Sequence, residues 1–406
     1  TLTLCAAEIL CLVGIATFPA LVPSFVQQWG LSNTEAGWIS AGYYAGYMLA
    51  VPVLVGWTDR IDARRILAAS AALGALGSAG FALLASGLGT ALLFRFFTGI
   101  SLAGIYMPGL KIVSDHTEGR LQSRFVAYYT ASFSIGLSVS YLLAGEIAEV
   151  MGWRWAFGAA AIGSIAALAL VVAAVPTATV RPTDGYRGLR QSFGVVFRCA
   201  PALGYIFGYA AHMWELFSVR SWIVAYLAFS LSLQPAGGWQ MSATQVAFWV
   251  SLIGVPASIG GNELARRSGR KRVIAAVMLG SAAVCVVLGF HPAWPFYLVV
   301  LTTVIHGITV VGDSAALTAG AVSAAPPGYR GATLALHSTI GFAAAFLGPL
   351  VTGMVLDWSP EDPRQAWAMG FVCMAVGCTL GPLALAISHF HAKRSENSAL
   401  GKNART

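Results

Sequence analysis

Apolar residues run through this chain in stretches of about 20, broken by Gly, Pro and short charged clusters, and no other feature constrains the fold as strongly. A helix needs about 20 apolar residues to cross ~30 Å of hydrocarbon. About twelve such stretches can be drawn, at 2–26, 33–55, 66–86, 88–113, 122–147, 153–175, 200–233, 243–262, 273–290, 294–322, 330–356 and 366–390. With 57% hydrophobic and 10% charged residues, the chain lacks the charge to wet a soluble surface, where about 25% is usual. A soluble globular fold is excluded. The predicted class is an all-α membrane protein of twelve transmembrane helices in two pseudo-symmetric six-helix bundles.

The basic residues set an orientation. Nineteen of the 24 Lys and Arg lie in connections 2–3, 4–5, 6–7, 8–9 and 10–11 and in the tail, against only Arg154 and Arg364 on the other side. Positive charge stays inside, so both termini are predicted to be cytoplasmic in an inner (plasma) membrane. The same clustering explains the +8 net charge without nucleic acid as a partner. The longest polar connection carries Pro182, Gly185, Gly188 and four arginines. It divides the chain into an N-terminal bundle (1–176), a cytoplasmic linker (177–198), a C-terminal bundle (199–390) and a cytoplasmic tail (391–406). The first run lacks a basic n-region and a cleavage site, and Glu8 interrupts it, so it is expected to be a membrane helix and not a signal peptide. Six cysteines in apolar segments, without a CxxC pair or a His at ligand spacing, predict no metal site.

The halves repeat weakly. Gly104, Ile105 and Gly109 recur as Gly307, Ile308 and Gly312 at an offset of 203, Ser134-Ile135-Gly136 resembles Thr339-Ile340-Gly341 at 205, and Trp155-Ala156 resembles Trp367-Ala368 at 212. In connection 2–3, Asp59-Arg60-Ile61-Asp62-Ala63-Arg64-Arg65 carries an acidic pair and a basic cluster. Connection 8–9 holds Arg266, then Arg267-Ser268-Gly269-Arg270-Lys271-Arg272, and Gly152-Trp153-Arg154-Trp155-Ala156-Phe157 opens helix 6. With these motifs the whole chain resembles the major facilitator superfamily of secondary carriers. Two departures stand out: Gly56 is one residue nearer to Asp59 than the family pattern, and Asp62 replaces its second Gly. In the second copy, Arg266 stands where the Asp belongs.

The resemblance implies rocking of one half against the other around a central cavity near the bilayer midplane. Asp59, Arg60 and Arg64 would then form a conformational latch between the cytoplasmic ends, with positive-inside topology alone as the simpler explanation of the arginines.

Function is sought in polar groups within the membrane, each costing several kcal/mol unless paired or hydrated. On helix 7, Tyr205, Tyr209, His212, Glu215, Arg220, Trp222 and Tyr226 share about half of the helix surface at 100° per residue. Apolar residues share that arc too, so it is either a cavity lining or an internal Glu215, Arg220 and His212 network. On helix 10, His306 and Asp313 fall on one stripe and suggest a proton relay; Asp313 could instead be hydrated near the helix end. On helix 4, Arg95 and Tyr106 share a face and Lys111 is expected to snorkel. The Arg95-x-x-x-Gly99 spacing also resembles proton-coupled members of the family. Tyr43 and Tyr47, one turn apart on helix 2, are candidates for solute contact or for packing. Glu8 fits either a cavity or an interface.

No Walker A loop, GxSxG elbow or HExxH is present, and no soluble segment is long enough to fold, so an enzyme is not expected and no cofactor is implied. A channel is the alternative outside carriers, but two duplicated halves suit alternating access better. The predicted function is uptake or exchange, coupled to protons or a counter-solute, of a small organic anion or polar metabolite by a monomer in the lipid bilayer. Balanced acids and bases within the membrane, and helix 5 without the proline stretch common in exporters of the family, leave proton-driven multidrug efflux as the alternative. The substrate-binding candidates are Arg95, Tyr106, Arg220, His212, Tyr43, Tyr47 and Tyr209, and the proton-coupling candidates are Glu215, Asp313 and His306.

Overall fold

The computed structural model describes residues 1–58, 60–117, 119–177, 189–235, 239–358 and 361–403. Asp59 and half of the linker predicted at 177–198 lie outside the described residues, which are helical without any strand. The first half contains α1 (Leu2–Leu12), α2 (Thr17–Trp29), α3 (Asn33–Trp57), α4 (Ala63–Leu84), α5 (Leu88–Asp115), α6 (Gly119–Met151) and α7 (Trp153–Ala174). A short α8 (Leu189–Val196) precedes the second half, formed by α9 (Ala200–Ser232), α10 (Ala243–Ser268), α11 (Arg270–Phe290), α12 (Phe296–Gly312), α13 (Ser314–Ser323), α14 (Arg330–Trp358) and α15 (Pro363–Asn403). Among the described residues, 11 segments are long and apolar enough to cross a membrane, with α1 and α2 together forming one and α12 and α13 another. The 33-residue α9 is also long enough; His212, Glu215 and Arg220 make it less apolar than the rest.

Four boundaries differ from the sequence expectation. The first span breaks between α1 and α2, because Pro19 has no N–H for the Ile15 carbonyl and its ring would clash there. The freed groups find partners elsewhere: Ser140 Oγ accepts from Ala16 N (2.9 Å) and donates to the Val13 carbonyl (2.5 Å). The tenth span breaks at Asp313, which ends α12 and starts α13. Connection 8–9 shrinks to Gly269, whose φ of 96° suits a residue without Cβ. Arg266 and Arg267 complete the last turn of α10, where cations favour the helix dipole, and both pair with Glu263 (3.0 and 2.8 Å). The last helix runs on to Asn403, past the expected start of the tail.

Within the N-terminal half, aromatic rings fill the core. Phe81 stacks on Phe157 at 3.8 Å, and Trp153 meets Phe25 edge-on at 5.2 Å, which gives the Gly152–Phe157 motif its packing role. The halves meet where α3 packs on α14, α6 on α10 and α2 on α9. These three pairs place helices of both halves around one seam.

Candidate functional site

Arg220 sits on that seam, half-buried on α9. Its guanidinium lies 5.1 Å from the centre of the Phe217 ring, and its backbone carbonyl accepts from the Tyr141 hydroxyl of α6 in the opposite half. Among the described residues no carboxylate stands within ion-pair distance of it. Phe217 joins that guanidinium to an aromatic cluster drawn from both halves: Tyr44 meets Phe217 at 4.6 Å, Phe217 meets Phe342 at 5.5 Å, and Tyr47 stacks on Phe342 at 3.7 Å. Tyr43 sits edge-on to Tyr44 at 5.5 Å. The Glu215–Arg220 network considered from the sequence does not form. Five residues along a helix turn these two side chains about 140° apart, and Glu215 points to another helix.

Two histidine–carboxylate pairs join α9 to the broken tenth span. His306 Nε2 lies 3.1 Å from Glu215 Oε1, which also accepts from Ser281 Oγ at 3.0 Å. His212 Nδ1 lies 2.8 Å from Asp313 Oδ1 but off the hydrogen-bonding direction, which leaves the buried Oδ1 without a hydrogen bond, and His212 Nε2, also buried, has no partner among the described residues. The break at Asp313 therefore replaces the expected His306–Asp313 stripe: each residue faces α9, not the other. Beside His212, Tyr209 stacks on His337 of α14 at 3.9 Å, and His337 Nε2 is 3.3 Å from Thr318 Oγ1. His337 was missed in the sequence because a single His in a Gly- and Ala-rich helix carries no spacing signal.

In the N-terminal half, Arg95 is 1% exposed. Its terminal nitrogens donate to the Gly14 and Ile15 carbonyls at 3.3 and 3.2 Å, and it lies 4.2 Å over the Tyr43 ring. It thus satisfies the carbonyls that the break between α1 and α2 leaves open. The Arg95-x-x-x-Gly99 spacing has a packing reason as well: a Cβ on Gly99 would stand 1.9 Å from the Tyr43 carbonyl oxygen, so only Gly lets α5 touch α3. Tyr106 is half-buried and packs on Tyr129 and Phe133 (6.1 and 5.4 Å). Lys111 reaches Asp115 at 2.6 Å with its side chain 36% exposed. Glu8 is buried and accepts from Ser132 Oγ, while its Oε1 has no partner among the described residues.

Of the expected latch, Asp59 is outside the described residues, and Arg64 donates to the Val171 and Val172 carbonyls (3.4 and 2.6 Å) within its own half. Besides the Tyr141–Arg220 bond, two sets of hydrogen bonds cross the seam at the other end of the bundle. Asp357, at the end of α14, accepts from Asn33 N (3.0 Å), Asn33 Nδ2 (2.9 Å) and Thr34 N (2.7 Å) at the start of α3. Gln245 at the start of α10 donates to Glu146 at the end of α6 (2.8 Å). The two are copies of one device: Glu146 and Asp357 are 211 residues apart. The helices they meet open on the capping boxes Ser32–Glu35 and Ser242–Gln245, offset by 210. These offsets continue the internal repeat.

Residues 4–267 match the sequence model of the Major Facilitator Superfamily. The chain belongs to that superfamily. It is a multi-pass membrane transporter. It is 23% identical over 377 residues to the cis,cis-muconate transport protein of Acinetobacter baylyi, covering 86% of this chain and 84% of that one. With the niacin transporter of the same organism it shares 27% over 144 residues, 36% of this chain and about a third (32%) of that transporter's length. Multidrug resistance protein 1 of Bacillus subtilis is 22% identical over 91% of this chain and 92% of its own. Among solved structures, a D-xylose-proton symporter superposes with a TM-score of 0.73 at 17% identity, covering 95% of this chain and 96% of that one. A bacterial homologue of the lysosomal transporter Spinster, inward-facing and occupied, gives 0.72 at 15%, covering 97% and 96%.

Proposed function

We propose that this transporter carries a small organic anion, taken up with protons by alternating access, and that Arg220 binds the anionic group. The observation that carries this reading is the Arg220 guanidinium, half-buried between the halves with no carboxylate beside it among the described residues. A cation in such a place costs several kcal/mol unless something pairs with it. A bound carboxylate does so with two parallel hydrogen bonds to the planar fork. Arg95 was expected to share the ligand, but its terminal nitrogens are committed to the α1–α2 break, so the anion rests on Arg220 alone. The rings of Tyr44, Tyr47, Phe217 and Phe342 favour a flat, conjugated body behind the carboxylate. Relatives named for muconate, niacin and 4-hydroxybenzoate transport support that class.

His212 and Asp313 exchange the coupled proton in this reading. Their polar atoms are buried without complete hydrogen bonds, a state that native interiors rarely tolerate outside functional sites. Asp313 also sits at a helix break, where one span can adjust. Tyr209 stacks between His212 and His337, and His337 in turn reaches Thr318. Glu215 and His306 already complete each other together with Ser281 and are left out of the proton step.

Positive-inside topology makes the Asp357–Asn33 end the outer one, so the latches close the outside and the resting carrier faces inward. Binding to the purified protein tests the reading. Benzoate, nicotinate and muconate should each raise the melting temperature, and Arg220→Ala should abolish the shift while folding normally. Stabilisation by tetraphenylphosphonium but by no carboxylate would favour the multidrug alternative.

A further inference from the structure

The C-terminal half contains a second cluster, apart from Arg220 and independent of what the protein carries. Glu215 of α9, Cys285 of α11 and His306 of α12 offer one oxygen, one sulfur and one nitrogen, all within 4.8 Å of one another. All three side chains are buried, at 1%, 0% and 1% exposure. They come from helices that the sequence keeps far apart, and the cysteines carry no local spacing motif. We propose that Glu215, Cys285 and His306 hold one divalent transition ion of the zinc type inside this half.

The ligand set suits the ion. Zinc takes thiolate, imidazole and carboxylate together, with bonds of about 2.0 to 2.3 Å, which places neighbouring ligand atoms about 3.3 to 3.8 Å apart in a tetrahedron. His306 Nε2 and Glu215 Oε1 are already 3.1 Å apart and Cys285 Sγ lies within 4.8 Å of both, so closing the set takes a shift of about 1 Å. Charge favours it too. A divalent ion with one thiolate, one carboxylate and one neutral imidazole is neutral overall, the state an apolar interior tolerates. Ser281 Oγ donates to Glu215 at 3.0 Å and would orient the carboxylate as outer partners of metal ligands do. The fourth position falls to water or to Cys378, whose thiol also neighbours Glu215. Such an ion clips α9, α11 and α12 together, so that this half moves as one body when the seam opens.

Without metal, the same atoms form a plain hydrogen-bonded cluster, with Cys285 Sγ donating to the Phe371 carbonyl at 3.5 Å. Cobalt separates the two. Full-length protein, purified on a tag without histidines and treated with chelator, is titrated with Co2+ as the coloured stand-in for Zn2+. One Co2+ per chain is expected, with a thiolate-to-cobalt charge-transfer band that equimolar Zn2+ removes. Cys285→Ser and Cys285→Ala should each abolish the band, and His306→Gln should weaken binding at least tenfold, as outright loss of a ligand requires. Cys373→Ser should leave the band intact. Melting curves without metal identify which variants are folded, and two replacements at Cys285 guard against one failing to fold. The proposal is overturned by the absence of an equimolar band in the wild type, or by a band that persists in a folded Cys285 variant.

Discussion

Replacing Asp357 by alanine should tip the carrier toward its outward-open form. The carboxylate accepts three hydrogen bonds across the seam, at 3.0, 2.9 and 2.7 Å, two of them from backbone N–H groups in the first turn of α3. A hydrogen bond to a charged group is worth about 1.5 to 3 kcal/mol when buried, and a carboxylate at a helix N-terminus adds about 0.3 to 1 kcal/mol. The site is only part-buried, so solvent takes over much of this when the bonds break. A net loss of about 2 kcal/mol is reasonable for the closed state, or about a 30-fold shift in the equilibrium at 1.4 kcal/mol per tenfold. Spin labels at Gln28→Cys and Glu361→Cys, exposed positions on either side of the latch, report the opening in a background without the six native cysteines. Double electron–electron resonance should show one short distance in the parent and a second, longer population in Asp357→Ala. A distribution unchanged by the substitution would refute the assignment of this contact as the outer latch.

Asp313→Asn and His212→Gln should each abolish accumulation driven by a pH gradient while sparing substrate exchange between equal pools, because the proton step is lost and the Arg220 site is kept; counterflow measured beside pH-driven uptake checks this. Arg95→Leu should lower stability by about 2 to 4 kcal/mol, since two buried carbonyls at the α1–α2 break lose their donors, and a Tm drop larger than that of Lys111→Leu is the result to look for. A single cysteine at Arg266 should react with an impermeant maleimide only after cells are permeabilised, as a cytoplasmic position requires.

Hydropathy alone exposes the membrane class and the number of stretches, because lipid imposes length and apolarity on every span. The breaks are harder to see. Hydropathy draws the first stretch unbroken over 2–26 despite Pro19, and that Arg95 and Ser140 take over the freed groups depends on neighbours 81 and 127 residues away. Helical arithmetic placed His212 and Glu215 on one broad face, yet could not say that they would choose different partners on the tenth span. It gives directions around one axis and no information about which helix stands there. The outer latches show the same limit. Asp357 meets Asn33 across 324 residues, and the capping boxes Ser32–Glu35 and Ser242–Gln245, which went unread in the sequence, mark equivalent starts of α3 and α10 without naming the helix end that meets them.

Anion transport through Arg220 is most directly tested in liposomes that contain only this protein. The tightest-binding carboxylate of the panel is supplied outside, with the outside acidic and the inside alkaline. Uphill accumulation is expected in the wild type, with collapse on addition of a protonophore and no uptake above empty liposomes in Arg220→Ala. Uptake that ignores both the pH gradient and the loss of Arg220, or pH-driven movement of tetraphenylphosphonium with none of any carboxylate, would contradict it.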